Sequence, residues 1–120
     1  MSSLNHNEIF EATIRIMLSI DQCVTVHFGG DAVSVRFPTT RKLAEHLQIP
    51  HYYVLPYFAS MEREGLITRV ERIGVSTTKE GSRMIFTLMA NKYRKEAESI
   101  LGVTIFNDLL QQVMASGRAV

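Results

Sequence analysis

Apolar and polar positions follow several distinct rhythms along this chain of 120 residues. In residues 7–20, NEIFEATIRIMLSI, the positions Ile9, Thr13, Ile16/Met17 and Ile20 keep helical spacing. Phe10, Ile14 and Leu18 widen that stripe until it covers most of the circumference. A helix apolar nearly all round is buried on several sides, which in so small a chain predicts burial against a second subunit. Residues 23–37 switch to a period of two. Val24, Val26 and Phe28 share one face, and Val33, Val35 and Phe37 do the same across Gly29-Gly30-Asp31, which is a hairpin signal. Pro38 stops the strand, and Thr39 or Thr40 caps a helix whose Leu43, Ala44 and Leu47 face inward. After a turn at Gln48-Ile49-Pro50, a second helical pattern places Val54, Tyr57/Phe58 and Met61 inward and ends at Gly65. Pro56 lies within it, where a proline removes a hydrogen bond and costs about 3 kcal/mol. Either this helix is kinked, or it begins near Leu55 with His51 to Val54 as an irregular lead-in.

The alternation then returns. Ile67, Arg69, Glu71 and Ile73 fall on one side of a strand and Thr68, Val70 and Arg72 on the other, with Gly74 as a turn and Val75 to Thr77 able to pair back. From Thr78 two patterns compete: a wing tip followed by a strand over 84–89, or a helix capped by Thr78 and running to Leu101. Helical spacing persists over about four turns, which favours the helix. Gly102 ends it. Thr104 caps a last helix, residues 104–115, with Ile105/Phe106, Leu109/Leu110 and Val113/Met114 in one stripe, and residues 115–120 read as frayed. These elements predict a single α+β domain over residues 1–120, mainly helical, with an added N-terminal β-hairpin. Two short helices joined by a tight turn and followed by a strand pair, residues 39–77, have the layout of a helix-turn-helix with a small wing. In that motif the second helix keeps one face free to enter a DNA major groove.

Net charge is only +1, but its distribution changes the picture. Residues 36–95 hold eleven Lys/Arg against five Glu, a net +6, while residues 1–35 carry −3 and residues 96–120 carry −2. The positive charge thus coincides with the helix-turn-helix, as an electrostatic footprint for phosphates requires. Hydrophobic content of 46% and charged content of 21% are those of an ordinary globular protein. No apolar run approaches the roughly 20 residues of a membrane-spanning helix. The N-terminus lacks the basic region of a secretory signal, and the one cysteine, Cys23, fits a reducing, cytoplasmic setting.

The exposed face of the second motif helix is expected to include His51, Tyr52, Tyr53, Leu55, Pro56, Ala59 and Ser60. Base edges are read mostly by Arg, Lys, Asn or Gln, none of which is present on this face. Its reading of DNA would therefore lean on shape, or Tyr52 and Tyr53 would be partly core. Thr39, Thr40, Arg41 and Lys42 open the first motif helix, where two cations are unfavourable for the helix dipole and a phosphate would relieve them. Arg69 and Arg72 on the wing strand, with Lys79 and Arg83 behind it, are the further phosphate candidates, against the plainer reading of a solvated strand face. His6, His27, His46 and His51 have no ligand spacing, so no metal site is expected. Cys23 beside a strand reads as a buried small residue. Carboxylates are not paired with a candidate nucleophile, so neither catalysis nor a cofactor is expected.

Residues 43–67, LAEHLQIPHYYVLPYFASMEREGLI, resemble the winged-helix transcription regulators: LAxxLxI, a variable turn, apolar residues four and seven before a glycine, then GLI. Thr77-Thr78-Lys79-Glu80-Gly81 is similar to the LTxEG segment that follows the wing in MarR-type and PadR-type regulators. Ile49 to Tyr53 is similar to the recognition-helix start of winged-helix repressors that carry iron–sulfur clusters, although their cysteine cluster is absent. The resemblance covers about residues 39–85 and belongs to the superfamily, while the inserted hairpin and Pro56 depart from it. It implies a homodimer formed through the first and last helices, with Ile9, Ile16, Ile20, Phe106, Leu109, Leu110 and Val113 at the interface. The expected function is a DNA-binding transcriptional regulator that contacts duplex DNA and a second copy of itself. A small-molecule effector is compatible with that class but has no support in the sequence. The alternatives are a winged-helix protein–protein interaction module and a plasmid partition or replication factor.

Overall fold

Asn5 starts the first helix, α1 (His6–Arg15), by a reciprocal cap: its side chain accepts from the Glu8 amide while the Glu8 carboxylate accepts from the Asn5 amide. The structure, a computed structural model, describes residues 5–29, 32–72 and 74–116. Past Arg15 the helix loosens into a π-helical segment, Ile16–Asp21, closed by Gln22 in the left-handed conformation at φ 51°. A hairpin follows, β1 (Val26–Gly29) against β2 (Ala32–Val35), in antiparallel register with Val26 opposite Val35 and Phe28 opposite Val33. Gly30 and Asp31 of the expected turn lie outside the described residues. Val33, Val35 and Phe37 are buried as their alternation requires, but Phe28 is exposed.

Thr39, not Thr40, caps α2 (Thr40–Leu47), its hydroxyl accepting from the Lys42 amide at 3.0 Å. Gln48, at φ 58°, ends the helix, and the three residues Gln48 to Pro50 turn the chain into α3 (His51–Arg63). Of the two readings of Pro56, the continuous helix holds: α3 runs from His51 with Pro56 inside it. The proline leaves the Tyr52 carbonyl without its i+4 donor, on the side of the helix where Tyr52 and Pro56 are both exposed. Val54, Phe58 and Met61 face the core.

β3 (Ile67–Val70) pairs antiparallel with β4 (Gly74–Thr77). Arg72 is not on the strand: it sits in the connecting turn at φ 68°, and Ile73 lies outside the described residues. β4 also meets the stretch just before α2, through an Arg36–Ser76 bridge and a Phe37 amide bond to the Val75 carbonyl at 2.8 Å. The chain order is therefore short strand, helix, turn, helix, strand, turn, strand, with the last strand between the other two. A buried chain of hydroxyls fixes this sheet to the next helix. Thr77 Oγ1 accepts from the Val35 amide at 2.8 Å and lies 2.7 Å from Ser82 Oγ, which donates to the Val33 carbonyl at 2.7 Å.

Thr78 caps α4 (Lys79–Lys92), so the helical reading after the wing holds and Met84 to Met89 is not a strand. The helix breaks at Tyr93, however, and resumes as α5 (Arg94–Leu101). α6 (Val103–Ser116) begins one residue before the expected cap: the Phe106 amide bonds the Gly102 carbonyl at 2.9 Å, so Thr104 is inside the first turn. Ala115 and Ser116 are helical, and residues 117–120 lie outside the described residues.

The apolar circumference of α1 is buried by its own chain. Ile9, Phe10, Ala12, Ile14 and Ile16 are fully buried, with α2 on one side and α4 on another. Phe37 joins this core to α3, its ring edge-on to Phe10 at 5.4 Å and to Phe58 at 5.6 Å. α6 closes the other end against α4, α5 and β2, with Phe86 stacked on Phe106 at 6.3 Å. The expectation that Ile9, Ile16, Phe106, Leu109 and Val113 face a second subunit is thus corrected: all five lie inside one chain, and Leu110 is half-buried. Of that set Ile20 alone is exposed. The radius of gyration, 13.8 Å, matches the roughly 14 Å of a folded chain this long.

Candidate nucleic-acid interface

α3 turns three side chains of its first two turns outward: Tyr52, Tyr53 and Leu55 are 64%, 54% and 45% exposed. They are thus available to a partner, which removes the reading of the two tyrosines as core. Their rings lie 4.7 Å apart at 39°. His51 and Thr40 are brought together, Nε2 to Oγ1 at 2.6 Å, which ties the start of α3 to the start of α2. Both are half-buried, so they position the motif more than they reach out of it. Ser60 points the other way. It lies 3.2 Å from His6 Nε2 and 3.4 Å from Glu64 Oε2, and His6 Nδ1 is 3.4 Å from Glu64 Oε1. The order serine, histidine, carboxylate matches a hydrolytic triad. Ser60 sits in the last turn of α3, however, where backbone N–H groups are engaged in helix bonds and offer no oxyanion donors. The cluster clamps the start of α1 onto α3.

Glu62, on the last turn of α3, reaches the β3–β4 hairpin and pairs with Arg69 at 3.5 Å. Arg72 is exposed in the wing turn. Lys79 is exposed in the first turn of α4, and Arg83 pairs with Glu80 at 3.1 Å; both belong to a helix, not to the wing. At the start of α2, Arg41 is exposed and Lys42 holds Asp21 with both carboxylate oxygens, at 2.7 and 2.8 Å. Arg36 and Arg63, outside the expected set, also face solvent. Arg36 alternates with buried Val35 and Phe37, and Arg63 continues the row of exposed Tyr52 and Pro56 and half-buried Ala59. Both were legible from periodicity. Among the described residues no ion pair engages Arg36, Arg41, Arg63 or Arg72. A cleft of about 460 Å³ runs between the start of α2 and the wing, with Arg36, Lys42 and Arg69 on its walls. Cys23 also lines it and is exposed, contrary to the expectation of a buried thiol. No cluster of three or more His, Cys, Asp or Glu among the described residues is placed to hold a metal ion. No helix among them is long and apolar enough to cross a membrane.

A polar network holds α2 to the scaffold. Arg15 donates to His46 Nε2 at 3.3 Å and to the Tyr93 hydroxyl at 3.2 Å, and Tyr93 donates to Glu11, which also binds Lys92 at 3.0 Å. Burial, then the Arg15 charge, pushes His46 below its ordinary 6.5. The Lys92 hydrogen bond leads the causes that hold Glu11 below its ordinary 4.5. Both shifts make acid destabilising, in successive windows. Below pH 6.5 the unfolded chain protonates His46 before the folded one does, so stability falls until the lowered folded value is reached. Below pH 4.5 the stability contributed by ionised Glu11 is lost in the same way. Thermal melts from pH 7.5 to 3.5 should show both declines. His46→Gln should flatten the first and Glu11→Gln the second; unchanged profiles in these variants would refute the assignment.

The chain matches no protein-family model, no curated protein and no solved structure.

Proposed function

We propose that this chain is a winged-helix protein that binds duplex DNA, most simply a homodimeric transcriptional regulator. One observation carries the reading. The short strand before α2 pairs with β4, β4 pairs with β3, and the hairpin so formed stands against the last turn of α3 through Glu62 and Arg69. That order of elements supports a winged helix-turn-helix, with α3 as the groove-entering helix and β3–β4 as the wing. Tyr52, Tyr53, Leu55 and Arg63 would meet the groove, while Arg41, Arg69, Arg72 and Arg36 would meet phosphates. Phosphate contacts position without specifying, and the tyrosine-rich face favours shape over base-edge reading. Partition or replication factors would use the same contacts. For the homodimer, the large apolar side chains left exposed outside α3 among the described residues are Ile20, Phe28, Val103 and Ile105.

The test is anisotropy of a random duplex as salt is raised. Four phosphate contacts per protomer predict a log–log slope of about −3.6 for each protomer engaged, or roughly 150-fold weaker binding per protomer between 50 and 200 mM salt. Arg69→Ala should lower the slope by about 1 for every sequence alike. A second reading, a protein–protein interaction module, is favoured by the exposed Tyr52, Tyr53 and Leu55 patch. A slope near zero, or no binding at low salt, would favour it.

A further inference from the structure

The cleft between α2 and the wing has an uneven charge. Arg36, Lys42 and Arg69 line it against one acid, Asp21, a net +2 on its walls, with Arg69 shared with Glu62 outside them at 3.5 Å. Thr25 and Thr39 add hydroxyls to the same walls. Arg36 has no ion pair among the described residues, and Lys42 is occupied. Asp21 ends the π-helical segment, and that local widening of the helix leads into the turn where the carboxylate meets the Lys42 ammonium at 2.7 and 2.8 Å. Two oxygens on one ammonium is the arrangement a phosphate adopts with its non-bridging oxygens, and Arg36 and Arg69 line the same cleft. The carboxylate also lies at the start of α2, whose first turn carries Arg41 and Lys42 and no acid of its own. It therefore does for the helix dipole what a phosphate would do there. The ion pair is held loosely: its side chains are 43% and 35% exposed, so water and salt screen it and a competing anion can displace it.

We propose that this cleft is a phosphate site in which Asp21 is a built-in mimic, holding Lys42 until a phosphate displaces the carboxylate. The phosphate comes from the DNA backbone, which rests on the DNA-binding reading above, or it is free in solution. The chemistry at Lys42 is the same, and the experiment separates the two. Asp21→Asn keeps the shape and removes the competitor, and Lys42→Gln removes the cation. Duplex binding at 50 mM salt is measured for the wild type, each single variant and the double variant. In a second arm, inorganic phosphate at millimolar concentration is tested for raising the melting temperature, with chloride at equal ionic strength as reference.

With backbone phosphate as occupant, Asp21→Asn tightens duplex binding about three- to fivefold, the competition an exposed ion pair exerts. Lys42→Gln weakens it and lowers the salt slope by about 1, and Asp21→Asn then adds nothing in the Lys42→Gln background. With free phosphate as occupant, no variant binds duplex, while phosphate stabilises the wild type, stabilises Asp21→Asn more and leaves Lys42→Gln unmoved. That outcome ends the DNA reading and keeps the site. An equal gain from Asp21→Asn with and without Lys42 marks a general charge effect and overturns the proposal. So does Asp21→Asn weakening both ligands, or neither ligand responding to either substitution.

Discussion

Gly81→Ala should cost the fold about 3 kcal/mol or more and lower the melting temperature by roughly 10 °C or more. Gly81 lies in the first turn of α4, and a Cβ there would stand 1.9 Å from the Leu66 carbonyl oxygen, 2.9 Å from its carbon and 3.2 Å from Thr77 Cβ. The obstacle is backbone, and it is pinned. The Leu66 amide bonds Met61 at the end of α3 at 2.9 Å, and its carbonyl accepts from the Thr78 amide at 3.0 Å. The Thr78 hydroxyl donates to the Gly65 carbonyl and accepts from the Gly81 amide at 3.2 Å. α4 cannot retreat without breaking its own cap, and the α3–β3 corner cannot retreat without shifting the wing. Gly29→Ala is the control, because nothing lies within 4 Å of the added methyl. A Gly81→Ala protein that melts within a degree or two of the wild type would show that the corner yields. It would also remove the close approach of α4 to Leu66 as the reason for a glycine there.

That glycine illustrates how much the sequence disclosed. Thr77-Thr78-Lys79-Glu80-Gly81 stood out as a pattern, and the structure supplies its physics: Thr77 joins β2 to α4, Thr78 caps, and Gly81 permits contact. Local signals were sufficient for α2, for the presence of α3 and of both hairpins, and for the inward set Leu43, Ala44, Val54, Phe58 and Met61, because each follows from spacing and caps within a few residues; the start of α3 and the turn of the second hairpin were not settled by them. Outward Tyr52, Tyr53 and Leu55 are the complement of that set. The features that escaped are those fixed by distant residues. Nothing near Tyr93 breaks a helix, yet the chain bends there, where its hydroxyl is held by Arg15 and Glu11 from α1. The alternation read through Ile73 stops at Val70: Gly74, expected as the turn, opens β4 opposite Val70, and Glu71 and Arg72 stand in the turn before it. Lys42 and Ser60 looked free in sequence; Asp21 and His6 take them up only in three dimensions.

The same distinction corrects the reading of the apolar helices, and it yields the other large effect. Leu109→Asp is expected to unfold the chain, not to split a dimer. Leu109 is 6% exposed, on a helix packed against α4, α5 and β2. Removing its side chain from the core costs about 2–5 kcal/mol, and a carboxylate without a partner adds several more or must take up a proton. The sum is comparable with the roughly 5–15 kcal/mol of a whole domain, so the variant should lose its cooperative melt at neutral pH and recover part of it in acid, where the new carboxyl is neutral. Ile105, four positions earlier on the same helix, is 57% exposed. Ile105→Asp should therefore stay folded, with stability within about 0.5 kcal/mol of the wild type. The pair separates core from interface by circular dichroism and sedimentation together. If the wild type sediments as a dimer and Leu109→Asp as a fully folded monomer, then α6 is held at a subunit boundary and the burial of Leu109 within one chain is wrong. If Leu109→Asp unfolds while Ile105→Asp folds and sediments as a monomer beside a dimeric wild type, the interface lies on the exposed side of α6. The two copies of α3 would then be spaced by the exposed edge of the apolar stripe, at Ile105, and not by its buried centre at Phe106, Leu109 and Val113.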